Sequence, residues 1–123
     1  MEIVTTDNAP AAIGPYSQAI KSKGFLFASG QIPVIPASGE IDGNSIETQA
    51  ERVMKNVESI LTAAGSDFQH VVKTTCFLAD MNDFAAFNAI YAKYFTGEPA
   101  RSCVAAKALP KGVLCEVELI AEV

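Results

Sequence analysis

Between Ser45 and Ala64 the apolar positions fall three or four apart. Ala50, Val53, Met54, Val57, Ile60, Leu61 and Ala64 make one stripe, and Glu51, Arg52, Lys55 and Glu58 fall off it. That period predicts an amphipathic helix, with Ser45 as its N-cap and Gly65 as its stop. Arg52 is then expected to face solvent. Upstream, Tyr16–Ile20 and Phe25–Ile32 are β-prone runs on either side of a Gly24-containing turn, which predicts a hairpin. Pro33, Pro36, Gly39 and Gly43 then break the pattern into a loop with at most one short strand. Downstream, Val71–Leu78 reads as a buried strand. Asp80, Asn82 and Asp83 supply turn and capping groups. Phe84, Phe87, Tyr91, Tyr94 and Phe95 recur at helical spacing through a second helix ending near Gly97. Such an aromatic stripe is expected to be core, and no cofactor is assigned to it. Arg101–Leu109 reads as a strand, Pro110–Gly112 as a turn and Val113–Val123 as a final strand.

The order ββ-α-β-α-ββ predicts an α+β two-layer sandwich, with both helices on one face of a mixed sheet. No linker or repeat divides the chain, so residues 1–123 are expected to form one domain. The sheet's second face also carries apolar groups and has nothing in the chain to cover it. Composition sharpens that point. Half of the residues are hydrophobic and the mean hydropathy is +0.23. A small domain has much surface to cover, so self-association is the favoured reading over an apolar cleft alone.

The net charge of −5 and pI near 4.7 argue against a general nucleic-acid binder, which usually carries a basic stripe. Met1–Thr5 has no basic segment followed by an apolar one, and no run approaches the ~20 residues that cross a bilayer. Cys76, Cys103 and Cys115 lack CxxC spacing and fit reduced thiols, so a cytoplasmic setting is expected. Cys76 and Cys115 lie in strand patterns as packing. His70, the single histidine, falls in a helix-to-strand connection and leaves few ligands for zinc. Neither metal nor cofactor is expected.

Two places carry candidate chemistry. Arg101 is one of two arginines and sits at a loop-to-strand junction. Its planar donor fork matches a carboxylate in two parallel hydrogen bonds, which makes it a candidate anchor for a small carboxylate; from position alone a surface or interface ion pair is the commoner role. In the last strand, Val113, Cys115, Val117, Leu119 and Ala121 share one face, and Leu114, Glu116, Glu118, Ile120 and Glu122 the other. Carboxylates bracketed by Leu114 and Ile120 could orient water if desolvation raises their pKa. From the pattern alone, edge-strand charges that block aggregation are the favoured reading.

Several segments, in order, resemble the Rid/YjgF family. They are Gly14-Pro15-Tyr16-Ser17-Gln18-Ala19, Phe27-Ala28-Ser29-Gly30-Gln31-Ile32-Pro33, Asn56-Val57, Asp80-Met81-Asn82-Asp83-Phe84, Asn88-Ala89-Ile90-Tyr91, Arg101-Ser102-Cys103-Val104, Leu109-Pro110-Lys111-Gly112 and Glu116–Ala121. The resemblance is greatest to the RidA-type enamine/imine deaminases. It implies a chorismate-mutase-like fold and a homotrimer with clefts between subunits. It also implies hydrolysis of 2-imino acids (2-iminopropanoate, 2-iminobutanoate) to 2-oxo acids and ammonia. On this resemblance Arg101 binds the substrate carboxylate. Ser29 and Gly30 form the cleft wall, Tyr16 lines the cleft from a neighbouring subunit, and Asn88 lies in a matching motif and is expected among the substrate-binding residues. Glu116, with the backbone carbonyl of Cys103, orients the attacking water. A Cys103 thiolate nucleophile is the competing mechanism. A non-catalytic carboxylate-binding regulator and, less favoured, an endoribonuclease or translation inhibitor are the competing functions.

Overall fold

A computed structural model describes all 123 residues. The first strand, β1 (Glu2–Val4), has no counterpart in the sequence reading. It is three residues long, too short for alternation to reveal it, and pairs antiparallel with β2 (Ala19–Ser22). The hairpin continues into β3 (Phe25–Gln31). Tyr16 lies ahead of β2 rather than within it. The 33–43 loop carries one isolated bridge, Val34 to Ile41.

Helix α1 spans Ile46–Ala64. Ser45 caps it by accepting from the Thr48 N–H, and the Gly65 N–H closes it on the carbonyls of Leu61 and Thr62. A short 3-10 turn at Phe68–His70 leads into β4 (Val71–Leu78). A second such turn, Met81–Asp83, is capped by Asp80 and precedes α2 (Phe84–Tyr94). Strand β5 (Ala100–Ala105) is shorter than its apolar run suggested, and β6 is Cys115–Glu122.

The six strands form one sheet in the order β1-β2-β3-β6-β4-β5. Only β4 and β5 run parallel; the other pairs are antiparallel. Both helices pack on one face. There, Leu26, Cys76, Leu78, Cys115 and Val117 are fully buried against Val53, Met54, Ile60, Leu61 and Phe87. Cys76 and Cys115 are packing residues, as their pattern suggested, and burial pushes both thiols up to about 12.

The opposite face is open. Ile3, Phe25, Phe27 and Val104 stand on it and are large and exposed, with Ile20, Phe77 and Ile120 half-buried among them. No helix is long and apolar enough to cross a membrane.

Candidate functional site

The candidate residues fall into two groups. Directly paired residues share a face of the sheet. Arg101 pairs with Thr74 and Cys103 with Cys76, which places both on the helix-covered face. Glu116 pairs with Phe77 and so stands on the open face. Within one chain, Arg101 and Glu116 therefore lie on opposite sides of the same sheet.

Around Arg101 the elements are β5 and α2. Phe84, Asn88 and Tyr91 are four and three residues apart, one helical face. The guanidinium carbon sits 4.6 Å from the centroid of the Tyr91 ring and 5.5 Å from that of Phe84. Its Nη1 donates to Asn88 Oδ1 at 2.7 Å. The Tyr91 hydroxyl shares a 2.8 Å hydrogen bond with Thr74 Oγ1, both groups being buried. Arg101 is thus held on one edge and over two rings, and the rest of its fork is left for a ligand. Asn88, expected to touch substrate, has its oxygen engaged by Arg101. The aromatic stripe of α2 is core as expected, and two of its rings also seat the arginine.

Cys103 follows on the sheet's edge strand. Beyond its end the Ala106 N–H donates to the Leu78 carbonyl at 2.9 Å. By strand alternation, even-numbered residues of β5 turn their backbone groups toward β4, and Arg101 and Cys103 turn theirs outward. The Cys103 carbonyl is thereby free for a ligand or water. Its thiol is pushed up by burial, partly offset by the Arg101 charge, which disfavours a thiolate.

The other group lines a cavity of about 650 Å³ that includes Tyr16, Ser29, Gly30, Glu116 and Lys111. A β-bulge forms part of its wall. Ala28 pairs with Leu119 and Gln31 with Val117, so β3 carries one more residue than β6 across that interval. Ser29 and Gly30 occupy the bulge. Ser29 Oγ donates to the Ser17 carbonyl at 2.7 Å, and its N–H to the Gln18 carbonyl at 2.9 Å. The Glu116 carboxylate lies against Gly30. A Cβ at that position would stand 2.0 Å from Glu116 Oε2, so the site has no room for any other residue while the carboxylate keeps its place. Desolvation, reinforced by the neighbouring Glu118 charge, raises the Glu116 pKa. No group of three or more His, Cys, Asp and Glu side chains converges as a metal-ligand set.

Buried amides that the sequence reading did not single out shape this cavity. Gln18 Oε1 accepts from the Thr6 N–H, and its Nε2 donates to the carbonyls of Thr6 and Pro10, tying down the 6–10 segment. A glutamine beside Ala19 and Ile20 in a β-prone run was the available signal. Arg52, expected in solvent, instead pairs with Asp42 at 2.9 Å and is half-buried, because the 33–43 loop folds back over α1.

An α+β sandwich with a bulged central strand and an edge-strand arginine over two rings is an architecture that this chain shares with known proteins. The family model described as Endoribonuclease L-PSP matches residues 6–123. The chain belongs to this Rid/YjgF family. It is 60% identical to "Putative regulator AldR" of Lactococcus lactis, over 100% of this chain and 98% of that one. It is 47% identical to a mouse protein named 2-iminobutanoate/2-iminopropanoate deaminase, over 98% of this chain and 90% of that one. Its fold matches the crystal structure of Escherichia coli TdcF with bound serine at a TM-score of 0.95 and 42% identity, covering 100% of this chain and 99% of that chain.

Proposed function

We propose that this chain hydrolyses small 2-imino acids to 2-oxo acids and ammonia in clefts built between copies of itself, in a homotrimer. The observation that carries the reading is the partition of the candidate residues. A carboxylate anchor and a poised carboxylate stand on opposite faces of one sheet, each incomplete alone. Apposition of the open apolar faces of neighbouring copies would remove Phe25, Phe27 and Val104 from water. The same assembly would bring one copy's Arg101 to another's Glu116.

The chemistry needs no redox partner. The free part of the Arg101 fork and the outward Cys103 backbone hold the substrate carboxylate and a water. As water oxygen bonds to the iminium carbon, Glu116 takes its proton and a neutral carbinolamine forms. Glu116 returns that proton to the nitrogen. The C–N bond breaks, the hydroxyl oxygen forms the carbonyl, and the hydroxyl proton leaves with ammonia as ammonium. One water is consumed, and Glu116 ends ionised. A raised pKa suits a group that must both take and give a proton near neutral pH.

The name of the mouse relative and the serine bound to TdcF support a small amino-acid-derived ligand. The Lactococcus relative's name favours a second reading, a carboxylate-binding regulator without turnover. A coupled assay separates the two. A dehydratase generates 2-aminoacrylate, and pyruvate release is followed with and without this protein. Faster release supports hydrolysis; unchanged release beside measurable 2-oxo acid binding supports the regulator.

A further inference from the structure

Helix α1 has a second stripe. Gln49, Arg52 and Asn56 are three and four residues apart, on a side of the helix distinct from the charged positions Lys55 and Glu58. All three side chains grip the segment from Ile32 to Gly43. Asn56 is fully buried, and its Nδ2 donates to the carbonyls of Ile32 at 3.0 Å and Val34 at 2.9 Å. Arg52 Nε donates to Asp42 at 2.9 Å. Gln49, also buried, donates through Nε2 to the Gly43 carbonyl at 3.0 Å. Its Oε1 meanwhile accepts from the Leu114 N–H at 2.8 Å. Gln49 therefore ties the far end of the loop to the entrance of β6, two residues before Glu116.

The gripped segment supplies part of the apolar wall of the cavity. Ile32, Val34 and Pro36 line it together with Pro10, Ala11 and Ile13, in the same cavity as Ser29, Gly30 and Glu116. Two features show that the wall's position is built in. Gly43 has φ +74°, and a Cβ there would press on the Thr48 side chain at 3.0 Å, so the end of the loop turns tightly against the start of α1. Asn56 Oδ1 is buried with no protein partner, a cost that an apolar residue would avoid. In return the amide secures the Val34 carbonyl and joins the Val34 N–H on that of Ile32. On the reading that this cavity receives an imino acid with its reacting carbon beside Glu116, the substrate's side chain extends toward that wall.

We propose that Gln49 and Asn56 are positioning residues that fix the distance between the apolar wall and Glu116, and so set the length of side chain a 2-imino acid can carry in this cleft. They touch no substrate and act through the loop and the start of β6.

The test uses the assembled protein and two non-reacting probes, 2-oxopropanoate and 4-methyl-2-oxopentanoate, titrated calorimetrically against wild type, Gln49→Met, Asn56→Leu and Arg52→Met. Losing the bonds that hold the loop should shift the ratio of the two Kd values about fivefold toward the longer acid in Gln49→Met and Asn56→Leu. Arg52→Met, which removes a half-exposed pair, should shift it about twofold. Amide exchange across residues 33–43 should rise in Gln49→Met and stay unchanged in β4. A residue that merely stabilises the fold would lower Tm and leave the ratio alone. If Asn56→Leu does not fold, Gln49→Met decides. Folded variants with the wild-type ratio overturn the proposal. The underlying reading fails separately: a wild type that binds both acids yet does not speed imine hydrolysis defeats the reaction, while the Kd ratio still judges the wall. A wild type that binds neither acid defeats both.

Discussion

Around Arg101 the supports are side chains; around Glu116 they are mostly backbone. The arginine rests on two rings of α2 and is fixed at one edge by Asn88, with Tyr91 itself locked to Thr74. The glutamate stands over a bulge, against a glycine, with its cavity walls held by amides that grip main-chain carbonyls. The difference fits the two tasks proposed for these residues. A guanidinium has a fixed charge and needs only its plane set, which stacked rings and one acceptor do well. A carboxylate that exchanges protons needs a particular degree of desolvation, and that depends on how closely the backbone approaches it. Damage to the first region should appear in carboxylate binding, and damage to the second in turnover.

The largest expected effect is on the Glu116 side. Glu116→Gln keeps shape but cannot take a proton, and should lower kcat by about 100- to 10,000-fold while 2-oxobutanoate binding changes little. Steady-state rates on an imine made in situ, beside ligand titration, check both halves. Equal loss of binding and turnover would erase the contrast between the two regions.

Arg101→Lys keeps the charge and loses the fork. It should cost roughly 30- to 1,000-fold in kcat/KM, with 2-oxo acid affinity falling alongside, in a protein that stays folded. Smaller again is the effect of the platform. Tyr91→Leu removes a cation–π contact worth about 0.5–2 kcal/mol and should weaken 2-oxobutanoate binding roughly 2- to 30-fold. Tyr91→Phe keeps the ring, loses only the Thr74 hydrogen bond, and should lie nearer wild type. The reverse ranking would mean that the Thr74 bond, not the ring, holds Arg101.

The smallest effect is on stability. Desolvation raises the Glu116 pKa in the fold, so between its ordinary value and the raised one the folded state holds more protons than the unfolded state. This group's contribution to stability therefore falls as pH rises through that window, and above it the cost is fully present. Glu116→Gln should remove the slope and raise Tm at neutral pH relative to wild type. Thermal melts across the carboxylate range read it directly, and parallel curves for the two proteins would contradict the desolvated assignment.

Much of the fold was legible because periodicity survives in single elements. The α1 stripe, its Ser45 and Gly65 ends, the hairpin and the alternation that puts Glu116 opposite Val117 all follow from local spacing. What was lost depended on contacts distant in sequence. Nothing near Arg52 announces Asp42, because the pair forms only when the loop folds back over the helix. Asn56 and Gln49 sit beside the apolar stripe as ordinary polar residues until the loop's carbonyls meet them. The aromatic stripe of α2 reads as core, and its second use as a seat for Arg101 requires knowing that β5 lies beside β4 under that helix. Arg101 and Glu116 could be picked out one by one. Their placement on opposite faces of the sheet comes from strand order, which the local pattern does not contain.

That placement makes the central claim testable with two inactive chains. Arg101→Lys and Glu116→Gln proteins, each purified, are mixed under conditions of subunit exchange and assayed for imine hydrolysis. If each cleft takes its arginine from one copy and its glutamate from another, random assortment in a trimer leaves about a quarter of the clefts with both native residues. Activity should then rise from near zero to about a quarter of wild type as exchange proceeds. If mass measurement shows mixed assemblies and activity stays at the level of the separate variants, the two residues do not meet across an interface and the account is wrong.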